Sequence, residues 1–273
     1  MTKRQRRLLV VAGLVVSLAV FTYFVGCSNS PTITRLDVTL KDLPATMNGI
    51  KIVQLSDLHF KPPYELYDKV ASLVNAENAD IIVITGDFIE TTAEEGKCVE
   101  FLGALKAKHG KYAVLGNWEH WSGVNRAEFQ NAATQAGFTF LVNGSAAVDL
   151  PGGKLWLAGV DDPFTHHDHL DKALEGVPQG KPTILLAHAP NIMDAAKAKE
   201  MSLVLAGHTH GGQVRLPLIG PLYTPEREMR KYDRGMFREG ETRMYVNSGI
   251  GVSTVNYRFF CRPEITVITL RGK

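Results

Sequence analysis

The chain contains few cysteines: only Cys27, Cys98 and Cys261 among 273 residues. Three cysteines cannot build a disulfide framework, and none of them is spaced as in a zinc ribbon. If the folded part is exported, Cys98 and Cys261 could pair, but the favoured interpretation is two buried thiols. The sequence also lacks internal repeats and low-complexity tracts, so a repeat architecture is not expected.

The excess of positive charge is small and lies at one end of the chain. The formal net charge is +2, from 30 basic and 28 acidic residues, but Lys3, Arg4, Arg6 and Arg7 all precede an apolar segment. Without these four, the remainder carries 26 basic against 28 acidic residues. A slightly acidic body argues against non-specific binding of nucleic acid, and no nucleic-acid partner is expected. With 45% hydrophobic residues, the chain can bury the core of one large domain.

The apolar segment, residues 8–27, is uncharged. Its 20 residues match the roughly 20 that cross a bilayer as a helix. Basic residues before it, with only Arg35 and Lys41 soon after, favour a cytoplasmic N-terminus and an extracytoplasmic domain in a bacterial cell membrane. We therefore predict a single-pass membrane anchor or export signal at 1–27, a linker at 28–35 and a folded domain at 36–273. The alternatives are a cleaved secretory signal, a twin-arginine signal and a lipoprotein signal that ends at Cys27.

Apolar spacing and alternation predict helices that are interleaved with short strands, the pattern of an α/β fold. The expected helices are 64–78, 94–108 and 124–136. The expected strands include 36–40, 138–142, 146–150, 155–160, 244–247 and 265–270.

Residue types that bind metals follow five of the apolar runs, where each predicted strand ends. They are Asp57 with His59, Asp87, Asn117, His188, and His208 with His210. Ligands of α/β sheets bind just beyond the strand ends, so these side chains are expected to meet at one edge. A single Asp or His at such a position is usually a turn, a cap or a structural residue, but five such elements in order favour a functional site.

The chemistry of this set suits two divalent ions. Carboxylate and amide oxygens with neutral imidazoles favour Mn, Fe, Zn or Ni over calcium. Paired ions of this kind lie about 3.5–4 Å apart, and Asp87 is a carboxylate that could bridge them. Asn117 would add an oxygen ligand without further negative charge, which keeps the centre cationic towards an anionic substrate.

The five blocks resemble those of the calcineurin-like metallophosphoesterases. They read Asp57-Leu58-His59, Gly86-Asp87, Gly116-Asn117, His188, and Gly207-His208-Thr209-His210-Gly211-Gly212. The segments 213–217 and 258–265 are similar to those of the subgroup with an N-terminal membrane anchor or export signal. The resemblance implies a four-layer α/β/β/α sandwich of two mixed sheets flanked by helices.

The resemblance also implies a ligand set and a reaction. One metal would be held by Asp57, His59, Asp87 and His210, and the other by Asp87, Asn117, His188 and His208. The implied activity is hydrolysis of a phosphate ester by a water or hydroxide held between the ions, with no covalent enzyme intermediate.

One block departs from the family pattern. The family usually has a histidine after Gly-Asn, whereas this chain has Trp118, followed by Glu119 at the family's acidic position. His120 lies two residues after Trp118. It is the candidate to protonate the leaving group in place of the missing family histidine. The alternative is that His120 is an exposed loop residue and that the enzyme works through its metals alone. Arg215 is a candidate for contacting the phosphate.

These observations predict a dinuclear metal-dependent phosphoesterase of broad specificity at the cell envelope. Within enzymes, the alternative is a lipid-linked pyrophosphatase of the UDP-2,3-diacylglucosamine hydrolase type. Outside enzymes, the alternative is a catalytically silent binding module on the same fold. No feature of the sequence indicates an oligomeric state.

Overall fold

A computed structural model describes residues 1–27, 30–222, 224 and 228–272, and the side chains of these except at 21, 23–27, 228 and 229. Its helices are α1 (Lys3–Cys27), α2 (Glu65–Ala76), α3 (Glu95–Ala104), α4 (Asn117–Trp121), α5 (Arg126–Gln135), α6 (Leu170–Leu174) and α7 (Met193–Ala198). Its strands are β1 (Thr32–Thr39), β2 (Lys51–Leu55), β3 (Ile81–Thr85), β4 (Lys111–Val114), β5 (Phe138–Phe140), β6 (Gly144–Leu150), β7 (Gly153–Gly159), β8 (Thr183–Leu186), β9 (Leu203–Ala206), β10 (Arg215–Leu216), β11 (Gly220–Pro221), β12 (Gly235–Glu239), β13 (Thr242–Val246) and β14 (Glu264–Arg271).

The strands form two mixed six-stranded sheets. The first has the order β1-β14-β2-β3-β4-β5, and the second has the order β12-β13-β9-β8-β7-β6. In the first sheet only the β14–β2 pair is antiparallel. In the second sheet the parallel strands β13, β9, β8 and β7 are bordered on each side by an antiparallel strand. The carboxyl ends of β2, β3, β4, β8 and β9 provide the loops of the site described below.

Three apolar clusters define four layers. The central cluster joins the sheets, with Ile52 and Val83 on one side and Leu157 and Leu205 on the other. A second cluster packs helices α2, α3 and α5 on the outer face of the first sheet. A third packs α6 and α7 on the outer face of the second. The layers are therefore α/β/β/α, as the family resemblance implies.

The burial of the strands explains their sequences. All five residues of β3, Ile-Ile-Val-Ile-Thr, are buried because this central strand is covered on both faces. Its sequence is therefore a continuous apolar run, whereas α2 alternates buried and exposed positions as a helix with one covered face. The predicted helices 64–78, 94–108 and 124–136 correspond to α2, α3 and α5, each of which is shorter than predicted.

The folded domain begins earlier than the sequence suggested. Strand β1 starts at Thr32, inside the segment assigned to a linker, because Thr32 to Thr39 pair in parallel with β14. Residues 28 and 29 of that segment lie outside the described residues.

The apolar segment 8–27 is part of helix α1, and the side chains of residues 21 and 23–27 lie outside the description. In the part of the chain that the structure does describe, no helix is both long enough and apolar enough to cross a membrane. The membrane anchor therefore stays a prediction. Cys98 and Cys261 are free, buried thiols, as favoured from the sequence.

Candidate metal centre

The metal-binding residue types predicted from the sequence gather at one edge of the two sheets. They form two buried groups, Asp57 with His59 and His210, and Asp87 with His188 and His208. Within each group, one ligand atom from every residue lies within 4.8 Å of the others. The two groups come from four separate loops, after β2, β3, β8 and β9, which the sheet order brings together.

In the first group, the Nε2 atoms of His59 and His210 lie 3.0 Å apart. The Oδ1 atom of Asp57 lies 3.5 Å from Nε2 of His210. The Asp57 carboxylate also accepts the backbone N–H of His208 on both oxygens at 3.0 Å. Asp57 therefore ties the loop after β2 to the loop after β9.

In the second group, Nε2 of His188 is the common neighbour. It lies 3.0 Å from Nδ1 of His208, 3.0 Å from Oδ1 of Asn117 and 3.2 Å from Oδ2 of Asp87. The structure thus brings Asn117 to the same point as the three residues of the group.

Asp87 lies between the two groups. Its Oδ2 atom is 3.2 Å from Nε2 of His188 and 3.5 Å from Nε2 of His59. A single carboxylate oxygen therefore faces a ligand nitrogen of each group. This is the position that a carboxylate shared by two ions requires.

The donor set fits a bound cation. Nδ1 of His188 lies 2.7 Å from the carbonyl oxygen of Thr85, so this nitrogen carries the proton and donates it. Nε2 of His188 then faces the oxygens of Asp87 and Asn117. A divalent cation that displaces the proton from Nε2 would bind its lone pair together with both oxygens.

The pKa shifts of the site residues show how strongly their charges interact. Burial alone would raise the pKa of Asp87, but attraction to His188 and its hydrogen bond, together with His59 and His208, lowers it to about 2. Burial and the repulsion from His188 lower the pKa of His208 to about 3. Burial would lower the pKa of His188, but Asp87, Asp57 and Asp162 raise it well above the usual value. The carboxylates therefore create a negative potential that favours a cation beside His188.

The backbone at the site is unusual. Five of these residues have positive φ although none is glycine: Asp57 (50°), His59 (40°), Asp87 (56°), His208 (70°) and His210 (51°). Each such conformation costs on the order of 1–3 kcal/mol and persists only where the surrounding structure holds it. The folded core therefore stabilises the strained loops that aim these side chains at one another.

Three glycines allow the loops to approach each other. A Cβ atom on Gly207 would lie 1.8 Å from Oγ of Ser56, and one on Gly116 would lie 2.3 Å from Oδ1 of Asp87. A Cβ atom on Gly86, which also has φ of +84°, would lie 2.6 Å from Nδ1 of His188. These positions exclude a side chain because the space is filled by the site itself.

Glu119 has a role that sequence reasoning did not identify. Its buried carboxylate accepts three backbone N–H groups, from Asp87 (3.0 Å), Phe88 (2.7 Å) and Gly116 (2.8 Å). It therefore joins the loop that carries Asp87 to the loop that carries Asn117. Burial and repulsion from Asp87 raise its pKa to about 8. The signal in the sequence was its acidic family position, but the contacts themselves are visible only in the fold.

Two further residues support the first group. Arg258 is buried and donates to the carbonyl oxygens of Ser248 (2.8 Å) and Gly251 (2.9 Å), with its Nη2 3.2 Å from Nδ1 of His210. Oε1 of Glu90 lies 3.2 Å from Nδ1 of His59. Neither residue was predicted as part of the site, although Arg258 begins the segment 258–265 that resembles the anchored subgroup.

The structure does not bring His120 to the metal groups. Trp118 and His120 lie two positions apart on the short helix α4, so their side chains diverge. Trp118 faces the site, with its ring centroid 5.7 Å from that of His59. His120 instead pairs with Oδ1 of Asp161 at 2.9 Å and stacks on His167. The leaving-group role of His120 stays a prediction that this geometry does not favour.

Arg215 is also occupied elsewhere. Its Nη1 atom donates to the carbonyl oxygen of Gly211 at 2.7 Å and pairs with Asp233 at 2.6 Å. It does not line the cavity beside the metal groups. Its contact with a phosphate likewise stays a prediction.

A cavity of about 370 Å³ opens over both groups. Asp87, Asn117, His208 and His210 form its polar floor. Its walls are largely apolar and are formed by Trp118, Trp121, Phe164, Val214 and Val255. The cavity therefore offers polar ligands at the base and an apolar surface to the rest of a bound molecule.

Known proteins share these features to different extents. The calcineurin-like phosphoesterase family matches residues 50–212. A Bacillus subtilis protein named uncharacterized metallophosphoesterase YkuE is 35% identical over 236 residues, which cover 84% of this chain and 82% of that protein. The Escherichia coli phosphodiesterase YaeI is 29% identical over 225 residues, which cover 81% of this chain and 82% of its own. A Danio rerio transmembrane protein with metallophosphoesterase domain is 31% identical over 278 residues, but the match covers only 62% of its length.

Proposed function

The chain belongs to the calcineurin-like phosphoesterase family and is a metal-dependent phosphoesterase, and from this premise we propose that it hydrolyses phosphodiesters with a pair of divalent ions. The observation that carries the proposal is the position of Asp87, whose Oδ2 atom faces a ligand nitrogen of each buried group. Two groups that share one carboxylate suit two ions better than one.

The proposed ligands follow the two groups. Asp57, His59, Asp87 and His210 would hold one ion, and Asp87, Asn117, His188 and His208 would hold the other. When bound, such a pair supplies a nucleophile from water near neutral pH and neutralises charge on the phosphoryl oxygens. Mixed oxygen and nitrogen ligands favour Mn, Fe, Zn or Ni.

The chain's own residues would bind and orient the ester. Asn117 contributes a neutral oxygen, so the centre stays cationic towards an anionic phosphate. Trp118, Trp121 and Phe164 form an apolar wall that excludes water from one side of the cavity. Trp118 cannot donate a proton to a leaving oxygen at neutral pH, because its indole N–H only forms hydrogen bonds. Esters whose leaving group departs without protonation should therefore react fastest.

The proposed substrate is a phosphodiester of the cell envelope with an apolar group. The apolar wall of the cavity supports this, and so does the name of the Escherichia coli relative, a phosphodiesterase. A lipid-linked pyrophosphate is the second candidate, which the same wall would accept. A silent binding module is disfavoured because both ligand groups are complete.

The proposed location is the membrane surface, with α1 as the attachment. Leu8, Leu14 and Leu18 of α1 are more than half exposed, so these apolar side chains are not covered by the domain. The Danio rerio relative is named a transmembrane protein, which supports the same location. The predicted orientation places the domain outside the cytoplasm.

Metal removal tests the proposed activity. We expect chelation to abolish hydrolysis of bis(p-nitrophenyl) phosphate and manganese or zinc to restore it. Asp87→Asn should lower kcat/KM at least about 10²-fold, because the Lewis-acid contribution of the ions amounts to several kcal/mol. Asp68→Asn, at an exposed position of α2, is the matched control and should retain full activity. Full turnover after complete chelation would refute the proposal.

A further inference from the structure

The chain enters the domain at the edge that carries the metal centre. Strand β14 is antiparallel to β2, so its first residues lie beside the carboxyl end of β2, where Asp57 and His59 follow. Strand β1 is parallel to β14, and Thr32 pairs with Glu264 at that same edge. The first strand therefore starts next to the site rather than at the opposite end of the sheet.

Direct contacts confirm this proximity. The side chain of Arg262 donates to the carbonyl oxygen of Ser30 at 2.9 Å. Its neighbour Cys261 lies 3.1 Å from the carbonyl oxygen of His210. Helix α1 ends at Cys27, three residues before Ser30, and three residues span at most about 10 Å. The C-terminal end of α1 therefore lies close to the metal-centre edge.

The same edge carries exposed apolar side chains, which we call the apolar rim: Leu218, Ile219, Leu222, Tyr257 and Phe260. Their exposed fractions are 107%, 64%, 56%, 44% and 39% in that order. Leu218 has φ of +66°, a strained conformation for leucine, at the tip of the β10–β11 hairpin. A fully exposed leucine at such a tip gains nothing from the core of its own domain.

The apolar rim is continuous with the cavity. Leu222 N–H donates to the carbonyl oxygen of Val214, and Val214 lines the cavity. Val214 in turn forms a β-bridge with Phe259, so the hairpin and the segment 257–260 lie side by side. Arg230 is exposed, and its Nη2 atom lies 3.5 Å from the carbonyl oxygen of Pro221 at the base of the hairpin. An apolar hairpin with a guanidinium at its base suits a lipid surface with anionic headgroups.

We propose that the apolar rim docks on an anionic phospholipid bilayer, so that the metal-centre cavity opens at the membrane surface. The inference rests on the proposed membrane location and adds an orientation to it. Attachment through α1 and docking through the rim would act at the same edge of the domain. A phosphoester whose apolar part stays in the membrane would then reach the metal centre without leaving the bilayer surface.

Depth-dependent quenching tests the orientation. The full chain carrying Cys27→Ser and Leu218→Cys is labelled with a fluorophore at position 218 and reconstituted in vesicles of phosphatidylcholine and phosphatidylglycerol. Cys98 and Cys261 are buried and should not be labelled. The matched control is Gln179→Cys in the same background, because exposed Gln179 precedes β8 and so lies at the opposite edge. Both variants should melt at the temperature of the parent.

We expect phospholipids with brominated acyl chains to remove most of the fluorescence at position 218 and none at position 179. Equal quenching at the two positions, or none at position 218, would overturn the docking inference. Flotation of the same samples reports separately on membrane association, and a chain that fails to float would overturn the location as well as the docking. Hydrolysis of soluble bis(p-nitrophenyl) phosphate by the parent chain reports on the proposed activity alone.

Discussion

Glu119→Gln would show how far the two loops of the centre depend on one buried carboxylate. Oε2 of Glu119 accepts from Asp87 and Gly116, and Oε1 accepts from Phe88. The amide of glutamine can place its oxygen at the first position, but its NH₂ group then meets the N–H of Phe88. At a pH above the raised pKa of Glu119, about 8, where its side chain is ionised, one buried donor is left without a partner by the substitution, which costs about 1–3 kcal/mol. For a domain of this size, in which 1 kcal/mol shifts the melting temperature by about 2–4 °C, the melting temperature should fall by about 2–12 °C.

The substitution should also weaken metal binding. Glu119 holds the loops that carry Asp87 and Asn117, and loss of such a supporting contact typically lowers metal affinity about 10–100-fold. Thermal unfolding and metal titration of the variant measure the two effects. Glu100→Gln, at an exposed position of α3, is the matched control and should change neither. A Glu119→Gln variant with the melting temperature and the metal affinity of the parent would refute this reasoning.

Two further substitutions test the packing of the centre and the role of His120. Gly207→Ala places a methyl group against Ser56 and Asp57 and should destabilise the domain by at least about 1–3 kcal/mol with loss of bound metal, whereas Gly96→Ala, on α3 with open space around it, should not destabilise it. Denaturant unfolding of the two alanine variants distinguishes the site from an ordinary glycine, and equal stability of both would contradict the packing argument. His120→Ala should lower kcat/KM equally for alkyl and activated aryl esters, because the ring faces Asp161 rather than the cavity. A selective loss for alkyl esters would show instead that His120 protonates the leaving group.

The sequence predicted the metal-binding residues best, because their role depends on their position directly after a strand. The buried run 81–85 predicted a central strand, and Asp87 beyond it was expected at the edge where ligands bind. The ranges of the helices were also approximately predicted, since an amphipathic helix repeats its apolar face every three or four residues. Periodicity does not fix helix ends, and each helix proved shorter than its pattern.

The remaining features depend on contacts between distant residues. Thr32 starts β1 because of its pairing with Glu264, more than 200 positions away, and local alternation carries no trace of that partner. The role of Glu119 depends on three N–H groups from two loops. The position of His120 depends on the helical conformation of α4. Residues two positions apart on a helix point in different directions, so His120 points away from Trp118. No local pattern indicated that helix.

An anomalous difference map from crystals grown with manganese tests most directly whether two ions share Asp87. We expect two peaks about 3.5–4 Å apart, one within Asp57, His59 and His210 and the other within His188, His208 and Asn117, with the carboxylate of Asp87 between them. A single peak in the cavity, or two peaks that Asp87 does not touch, would contradict the account.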